Sequence, residues 1–143
     1  MEQLSSIFFY HLDKAIKTYR QYAQARLKEN GFTITIDQWL VLKAIADNDD
    51  LSQDELSEMV FKDKASVTRI IEMLVTARYL VRQAHPDSGR RRLLMITAKG
   101  KNLLKEIRTI VLKNRKTALK GITENELVNA EKVLKRISNN CKK

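Results

Sequence analysis

The chain is poor in the residues that cross-link or interrupt a fold. Its 143 residues include one cysteine, Cys141, one proline and four glycines. A single cysteine cannot form an intramolecular disulfide, which excludes a disulfide scaffold. Scarce glycine and proline favour helices with short connections. The N-terminus also lacks a basic region followed by a small-residue cleavage site, so we expect no signal peptide and a cytoplasmic location.

Long apolar runs and catalytic motifs are also missing. No run approaches the ~20 apolar residues that a membrane span needs, so we expect no membrane partner. The sequence contains no glycine-rich phosphate loop and no nucleophile motif. His11 and His85 lie far apart without an evident catalytic or zinc-ligating partner. We therefore expect no enzyme, no metal site and no cofactor.

Positive charge is in excess and is unevenly distributed. The net charge is +10, of which residues 1–50 contribute −1, residues 51–100 contribute +3 and residues 101–143 contribute +8. A basic chain of this kind has nucleic acid as its leading candidate partner. On charge alone, a lysine-rich solvated surface is an equal alternative.

Apolar spacing and helix-start signals divide the chain into short elements. Apolar residues at three- and four-residue spacings predict a helix over residues 4–29. Asp63 and Thr97 are expected to cap helices over 64–77 and 98–120. Ser or Thr three residues before Glu or Gln predicts capping boxes at Thr35–Gln38, Ser52–Glu55 and Thr123–Glu126.

Residues 79–97 predict a β-hairpin. "YLVRQAH" and "RRRLLMIT" are typical of strands, and "PDSG" is typical of a turn in which Gly89 supplies a positive φ. Three helices followed by a hairpin form a winged helix-turn-helix. The predicted fold is thus mainly α with a small β-hairpin, a single domain over 1–143 whose winged helix-turn-helix spans 34–98.

The helix over 64–77 has the layout of a DNA recognition helix. Its apolar stripe would pack inward, while hydroxyl and basic groups occupy the first two turns of the opposite face. An arginine-rich hairpin follows it and could reach the adjacent minor groove. The candidate DNA-binding residues are Lys64, Ser66, Thr68, Arg69, Arg90, Arg91 and Arg92. The alternatives are a solvated helix face and a charged hairpin edge that opposes aggregation.

Apolar stripes at the two ends of the chain indicate a second subunit. Residues 4–29, 104–118 and 127–137 repeat apolar side chains at close to heptad spacing. A small winged domain offers too few partners for three such stripes, so we expect a two-fold homodimer through residues 1–33 and 99–143. An intramolecular helical layer is the alternative.

The chain resembles the multiple-antibiotic-resistance regulator (MarR) family over nearly its whole length. The resemblance rests on "TIDQWLVLKAI", "LSQDELSEMV", "DKASVTRIIEMLVTARYLVR" and "LLMITAKGKNLL", the last similar to the family's "L-x-x-L-T-x-x-G" after the wing. It implies a homodimeric bacterial transcription factor on a pseudo-palindromic site. The family's wing Asp-x-Arg would place its arginine at Arg90, but the aspartate position holds Ser88 and Asp87 lies one residue earlier.

The resemblance also implies a small aromatic or phenolic effector. Family members often sense such compounds between the dimer helices and the winged domain. The polar-tipped aromatic residues that could line this site are Tyr10, His11, Tyr19 and Trp39, each of which could instead belong to the core. The predicted function is a repressor of transcription, relieved by a ligand. The alternative is a winged-helix module that binds an acidic protein partner.

Overall fold

A computed structural model describes residues 1–142, without the side chains of Ser88, Arg90 and Arg91. Within these residues the chain forms six α-helices and one antiparallel hairpin, after a 3-10 turn at Leu4–Ser6. The elements are α1 (Phe8–Glu29), α2 (Ile36–Asp47), α3 (Gln53–Val60), α4 (Lys64–Thr76), β1 (Leu80–His85), β2 (Ser88–Ile96), α5 (Ala98–Ala118) and α6 (Glu124–Cys141). No helix in residues 1–142 is both long and apolar enough to cross a membrane.

The predicted helix starts are confirmed. All three capping boxes form, and the Asp63 and Thr97 side chains accept hydrogen bonds from the amides of Ser66 and Gly100. The first helix differs from its prediction because Ile7 is extended and separates the 3-10 turn from α1. The other predicted starts agree because capping depends on residues only three positions apart, whereas α4 and α5 end one and two residues earlier than predicted.

The core lies around α2, which packs against α1, α3, α4, α5 and β2. Val41 and Leu42 of α2 are completely buried. The predicted inner stripe of α4 packs on the same core, where Val67, Ile71 and Leu74 are buried and Ile70 is partly buried. Because the apolar face of α4 is used in this way, its opposite face is left at the surface.

The hairpin closes more tightly than predicted. Only Pro86 and Asp87 form the turn, and β2 already begins at Ser88. Ala84 pairs with Arg92 whereas His85 pairs with Ser88, so the register shifts at this point. The backbone of Gly89 lies in the shifted segment, and its φ is not positive. The expectation that Gly89 closes the turn through a positive φ is therefore wrong, since the register shift takes up the extra residues instead.

The terminal helices leave apolar side chains at the surface. The helix α6 buries no residue, and α1 and α5 each expose one end. The exposed large apolar side chains of these helices include Phe8, Phe9, Ile16, Leu112, Val128, Val133 and Leu134. A monomer therefore leaves much of its terminal helices without an apolar partner.

Candidate nucleic-acid interface

The N-terminal end of α4 carries a polar surface fixed by its cap. Asp63 accepts hydrogen bonds from the Ser66 amide at 2.8 Å and the Ser66 hydroxyl at 2.9 Å. These bonds hold the pKa of Asp63 below its ordinary value. The Ser66 hydroxyl also accepts a bond from the guanidinium of Arg69 at 3.3 Å. Two predicted DNA-binding side chains, Ser66 and Arg69, thus lie together on the exposed face of α4.

Lys64 and Thr68 complete this face. The Lys64 ammonium contacts the Asp54 carboxylate at 2.8 Å, and this hydrogen bond raises the pKa of Lys64. The Thr68 hydroxyl donates to the Lys64 carbonyl at 2.9 Å and accepts from the side-chain Nε2 of Gln53, at the start of α3. Both members of the Lys64–Asp54 pair are exposed, and exposed ion pairs are weak, so a phosphate could readily replace Asp54.

The wing brings further arginines beside α4. Arg82 pairs across the hairpin with Leu94, and Arg92 pairs with Ala84, so Arg82 and Arg92 lie on the same face of the two strands. Both line an open hollow of about 310 Å³ together with Gln53 and Thr68. Arg92 and Thr68 were predicted as binding residues, and the structure brings them together. Gln53 and Arg82 were not predicted, because neither belongs to the recognition helix or the arginine run.

The turn end of the wing is anchored by His85. Its ring is nearly buried, and Nε2 lies 3.0 and 2.9 Å from the two carboxylate oxygens of Asp50. The Asp87 amide donates to Nδ1 at 3.0 Å, so a neutral ring carries its proton on Nε2 and donates it to Asp50. This chain of bonds ties the turn of the hairpin to the loop between α2 and α3. The side chains of Arg90, Arg91 and Ser88 lie outside what the structure describes, so the DNA-binding roles of Arg90 and Arg91 stay predictions.

A second polar network joins α1, α2 and the turn before α4. Asp37 contacts the guanidinium of Arg20 and the ammonium of Lys62, each at 3.0 Å. Partial burial raises the pKa of Asp37, but the hydrogen bonds and charges of Lys62 and Arg20 outweigh it, and the pKa falls below its ordinary value of 3.8. The terminal helix α1 is thereby linked to the helix-turn-helix.

The four candidate effector residues do not form one cluster. Tyr19 and Trp39 line a cavity of about 190 Å³ between α1, α2 and α5. His11 lines a separate open hollow with Tyr19, and its Nε2 lies 2.6 Å from the carbonyl of Ser5. Tyr10 is exposed and lines neither.

Sequence reasoning missed the polar residues that line the 190 Å³ cavity beside Tyr19, of which Asn114 of α5 is the buried one. Only 2% of this residue is exposed, and its Oδ1 has no hydrogen-bond partner among the described residues. Arg20 and Arg115 also line the cavity. A buried acceptor without a partner costs about 1–3 kcal/mol, so a ligand that donates to it would gain affinity. Its position on an amphipathic helix predicts only burial, so the sequence carries no signal for this role.

Comparison with known proteins identifies the family. A model of the MarR family matches residues 30–91. The HTH-type transcriptional regulator SarZ of Staphylococcus aureus is 30% identical over 112 residues, which are 78% of this chain and 72% of that protein. The chain belongs to the MarR family. SarZ of Staphylococcus epidermidis is 31% identical over 102 residues, 71% of this chain but 65% of that protein, so the match spans slightly less than two thirds of this relative.

Solved structures agree with the MarR fold. Bordetella bronchiseptica BpsR, whose DNA binding is regulated by 6-hydroxynicotinic acid, superposes with a TM-score of 0.86 over 96% of this chain and 97% of that chain. At 22% identity this likeness shows the fold. The predicted winged helix-turn-helix with terminal helices is confirmed.

Two residues of the MarR-like wing exit have a visible structural role. The Thr97 hydroxyl accepts from the Gly100 amide at 3.0 Å and caps α5, and it donates to the Arg78 carbonyl at 2.7 Å. Gly100 lies so near the wing that a Cβ built on it would be 2.4 Å from the Tyr79 carbonyl oxygen. This pair of residues fixes α5 against the base of the hairpin.

Proposed function

We propose that this protein is a sequence-specific regulator of transcription that binds double-stranded DNA as a homodimer. The observation that carries the proposal is the common hollow of α4 and the wing, where Thr68 meets Arg82 and Arg92. The N-terminal turns of α4 would enter the major groove, with Lys64, Ser66 and Arg69 on bases or phosphates. Arg90 and Arg91 would extend the wing contacts to the adjacent minor groove. Membership of the MarR family and the net charge of +10 support the same function in the cytoplasm.

The experiment is duplex binding across a salt series, with sites first selected from genomic DNA. Counterion release predicts that log K falls with log salt with a slope of about five to ten for several phosphates per subunit. No measurable duplex binding at low salt would refute the proposal and favour a module that binds an acidic protein.

Arg69→Ala should reduce discrimination between selected and unrelated sites by ~1–3 kcal/mol if Arg69 contacts a base. Equal weakening on all sequences would assign Arg69 to a phosphate.

We propose further that residues 1–33 and 99–143 form the dimer interface. The apolar side chains exposed on α1, α5 and α6 support this, because a two-fold partner would cover them. Sedimentation at micromolar concentration should give a dimer. Replacement of Leu134, 43% exposed on α6, by Glu should shift the protein toward monomer and weaken duplex binding together. A wild-type protein that sediments as a monomer would contradict the interface.

We also propose that a small aromatic or phenolic effector relieves repression by binding in the 190 Å³ cavity. Tyr19 and Trp39 would contact its ring, Asn114 would accept a hydrogen bond from its hydroxyl, and Arg115 would pair with an acidic group. The regulation of BpsR by 6-hydroxynicotinic acid supports this class of compound. The test measures loss of duplex binding as hydroxylated aromatic acids are titrated. Asn114→Leu should abolish the response without loss of the dimer; a response unchanged in this variant would place the effector elsewhere.

A further inference from the structure

The hollow between α4 and the wing lies where a DNA strand has to pass. If α4 occupies a major groove and the wing the adjacent minor groove, the protein straddles the sugar–phosphate strand that separates the two grooves. Groups between the helix and the hairpin therefore face phosphates and not base edges. This position of the DNA strand rests on the proposed function.

Two arginine residues on neighbouring strands line the hollow from the wing side. Arg82 of β1 and Arg92 of β2 are diagonal neighbours on one face of the hairpin, where such positions lie ~7–8 Å apart, within reach of long side chains. Leu51, Ile71 and Leu94 complete the wall with apolar surface. A phosphate oxygen pair suits an arginine fork, and one anion can accept from two forks.

The helix side of the hollow is held rigid by Gln53. Its side-chain Nε2 donates to the Thr68 hydroxyl and, at 3.3 Å, to the Lys64 carbonyl. The Thr68 hydroxyl donates in turn to that same carbonyl. Gln53 and Thr68 therefore satisfy one another and fix the floor of the hollow, while the two arginines supply its donors.

The charge of the hollow is only weakly balanced by the protein. The guanidinium of Arg82 lies 3.5 Å from the Glu72 carboxylate, a long contact between exposed groups. Among the side chains that the structure describes, no carboxylate lies within 4 Å of Arg92. Two cationic side chains thus line one hollow, and an anion bound between them would be attracted by both.

We propose that Arg82 and Arg92 clamp one backbone phosphate of duplex DNA, on a floor fixed by Gln53 and Thr68. In the unbound protein Arg82 contacts Glu72. On binding, Arg82 exchanges this contact for the phosphate, so Glu72 and the phosphate compete for Arg82. The clamp holds the register of the wing against α4. It carries no base specificity of its own.

The test compares salt slopes on a mixed-sequence duplex for wild type, Arg82→Gln, Arg92→Gln and the double variant. Lys43→Gln, alone and combined with Arg78→Gln, is the control, because these changes remove the same charge at exposed positions outside the proposed DNA contacts and the proposed dimer interface. Loss of one phosphate per subunit of a dimer lowers the slope by about 1.8, at ~0.9 each. If the two arginines share one phosphate, the slope of the double variant decreases by this amount. The decrease in each single variant is then equal to or smaller than that of the double variant.

Three outcomes would overturn the clamp. A slope unchanged from the control in the double variant would show that the hollow does not contact DNA. A double variant that lowers the slope by about 3.6 would show that each arginine binds a separate phosphate. Each result requires that the wild type binds the duplex, so failure of the clamp is distinct from failure of the proposed function. Arg82→Lys keeps the charge and should keep most of the slope while losing affinity, because an ammonium lacks the fork; full affinity in this variant would contradict bidentate binding.

A free anion is the other source of the same chemistry. Inorganic phosphate at millimolar concentration should raise the Tm of the wild type no more than that of the double variant if the hollow needs a DNA backbone. A rise in the wild type that the double variant lacks, with unchanged duplex slopes, would make the hollow a small-anion site and refute the assignment to DNA.

Discussion

Replacement of Gly100 by alanine provides a direct test of how α5 is set against the wing. Alanine within a helix is normally favoured over glycine by ~1 kcal/mol, so local propensity predicts a more stable protein. The added Cβ, however, would lie 2.4 Å from the Tyr79 carbonyl oxygen and 2.7 Å from Cγ1 of Ile96. The first distance is 1.0 Å short of ordinary contact at 3.4 Å, and a backbone oxygen cannot rotate away.

Overpacking of this kind costs ~1–3 kcal/mol, and the backbone contact places Gly100→Ala near the upper end. After the gain in propensity, we expect a net loss of ~2 kcal/mol and a Tm lower by about 6 °C. Urea and thermal unfolding at one fixed protein concentration measure this loss, because the stability of a dimer depends on concentration. Gly89→Ala is the matched control, since nothing lies within 4 Å of a Cβ there. A Gly100→Ala protein as stable as the wild type would contradict the close packing of Gly100 against the Tyr79 carbonyl.

Three further perturbations test other parts of the fold. Phe61 is 92% exposed with φ of 59°, so Phe61→Gly should raise stability in urea by ~0.5–1 kcal/mol; a loss would reveal an apolar contact for this ring. His85→Ala removes the bonds to Asp50 and the Asp87 amide, and should weaken duplex binding while the dimer persists; equal affinity would show that the wing does not need this anchor. Asp37→Asn should destabilise the protein near pH 7, and the difference from wild type should shrink as pH falls from 3.8 through the lowered pKa of Asp37; a constant difference would exclude a contribution from its charge.

The helix starts could be predicted from the sequence because they depend on local chemistry. A capping box such as Thr35–Gln38 needs only two side chains and two amides three residues apart. The inner stripe of α4 was equally accessible, since helical spacing alone places Val67, Ile71 and Leu74 on one face. These local signals were enough to order the elements and to predict the winged fold.

The turn of the hairpin and the wing side of the candidate interface depend on the pairing register of β1 and β2. A local sequence pattern does not determine this register. Burial of Leu80 against the core, paired with Ile96, determines which strand residues face α4. From that register follows the shared face of Arg82 and Arg92, whereas the two-residue turn follows from the shift of register between Ala84 and His85. Gln53 reads in the sequence only as the first residue of a capped helix, and its contact with Thr68 appears only when α3 and α4 are packed together.

The internal hydrogen bonds of the α4 face bear on how the protein would search a genome. Ser66, Thr68 and Arg69 are all bonded within the protein before any DNA is present. A wrong sequence therefore leaves none of these three without a partner, and the usual penalty for an unmatched polar group is avoided. If the proposed phosphate contacts form, they would hold the protein on non-cognate DNA, where it could slide and hop. Selectivity would arise when a base edge offers a better bond than the protein itself, and would be read out as a longer residence at the cognate site.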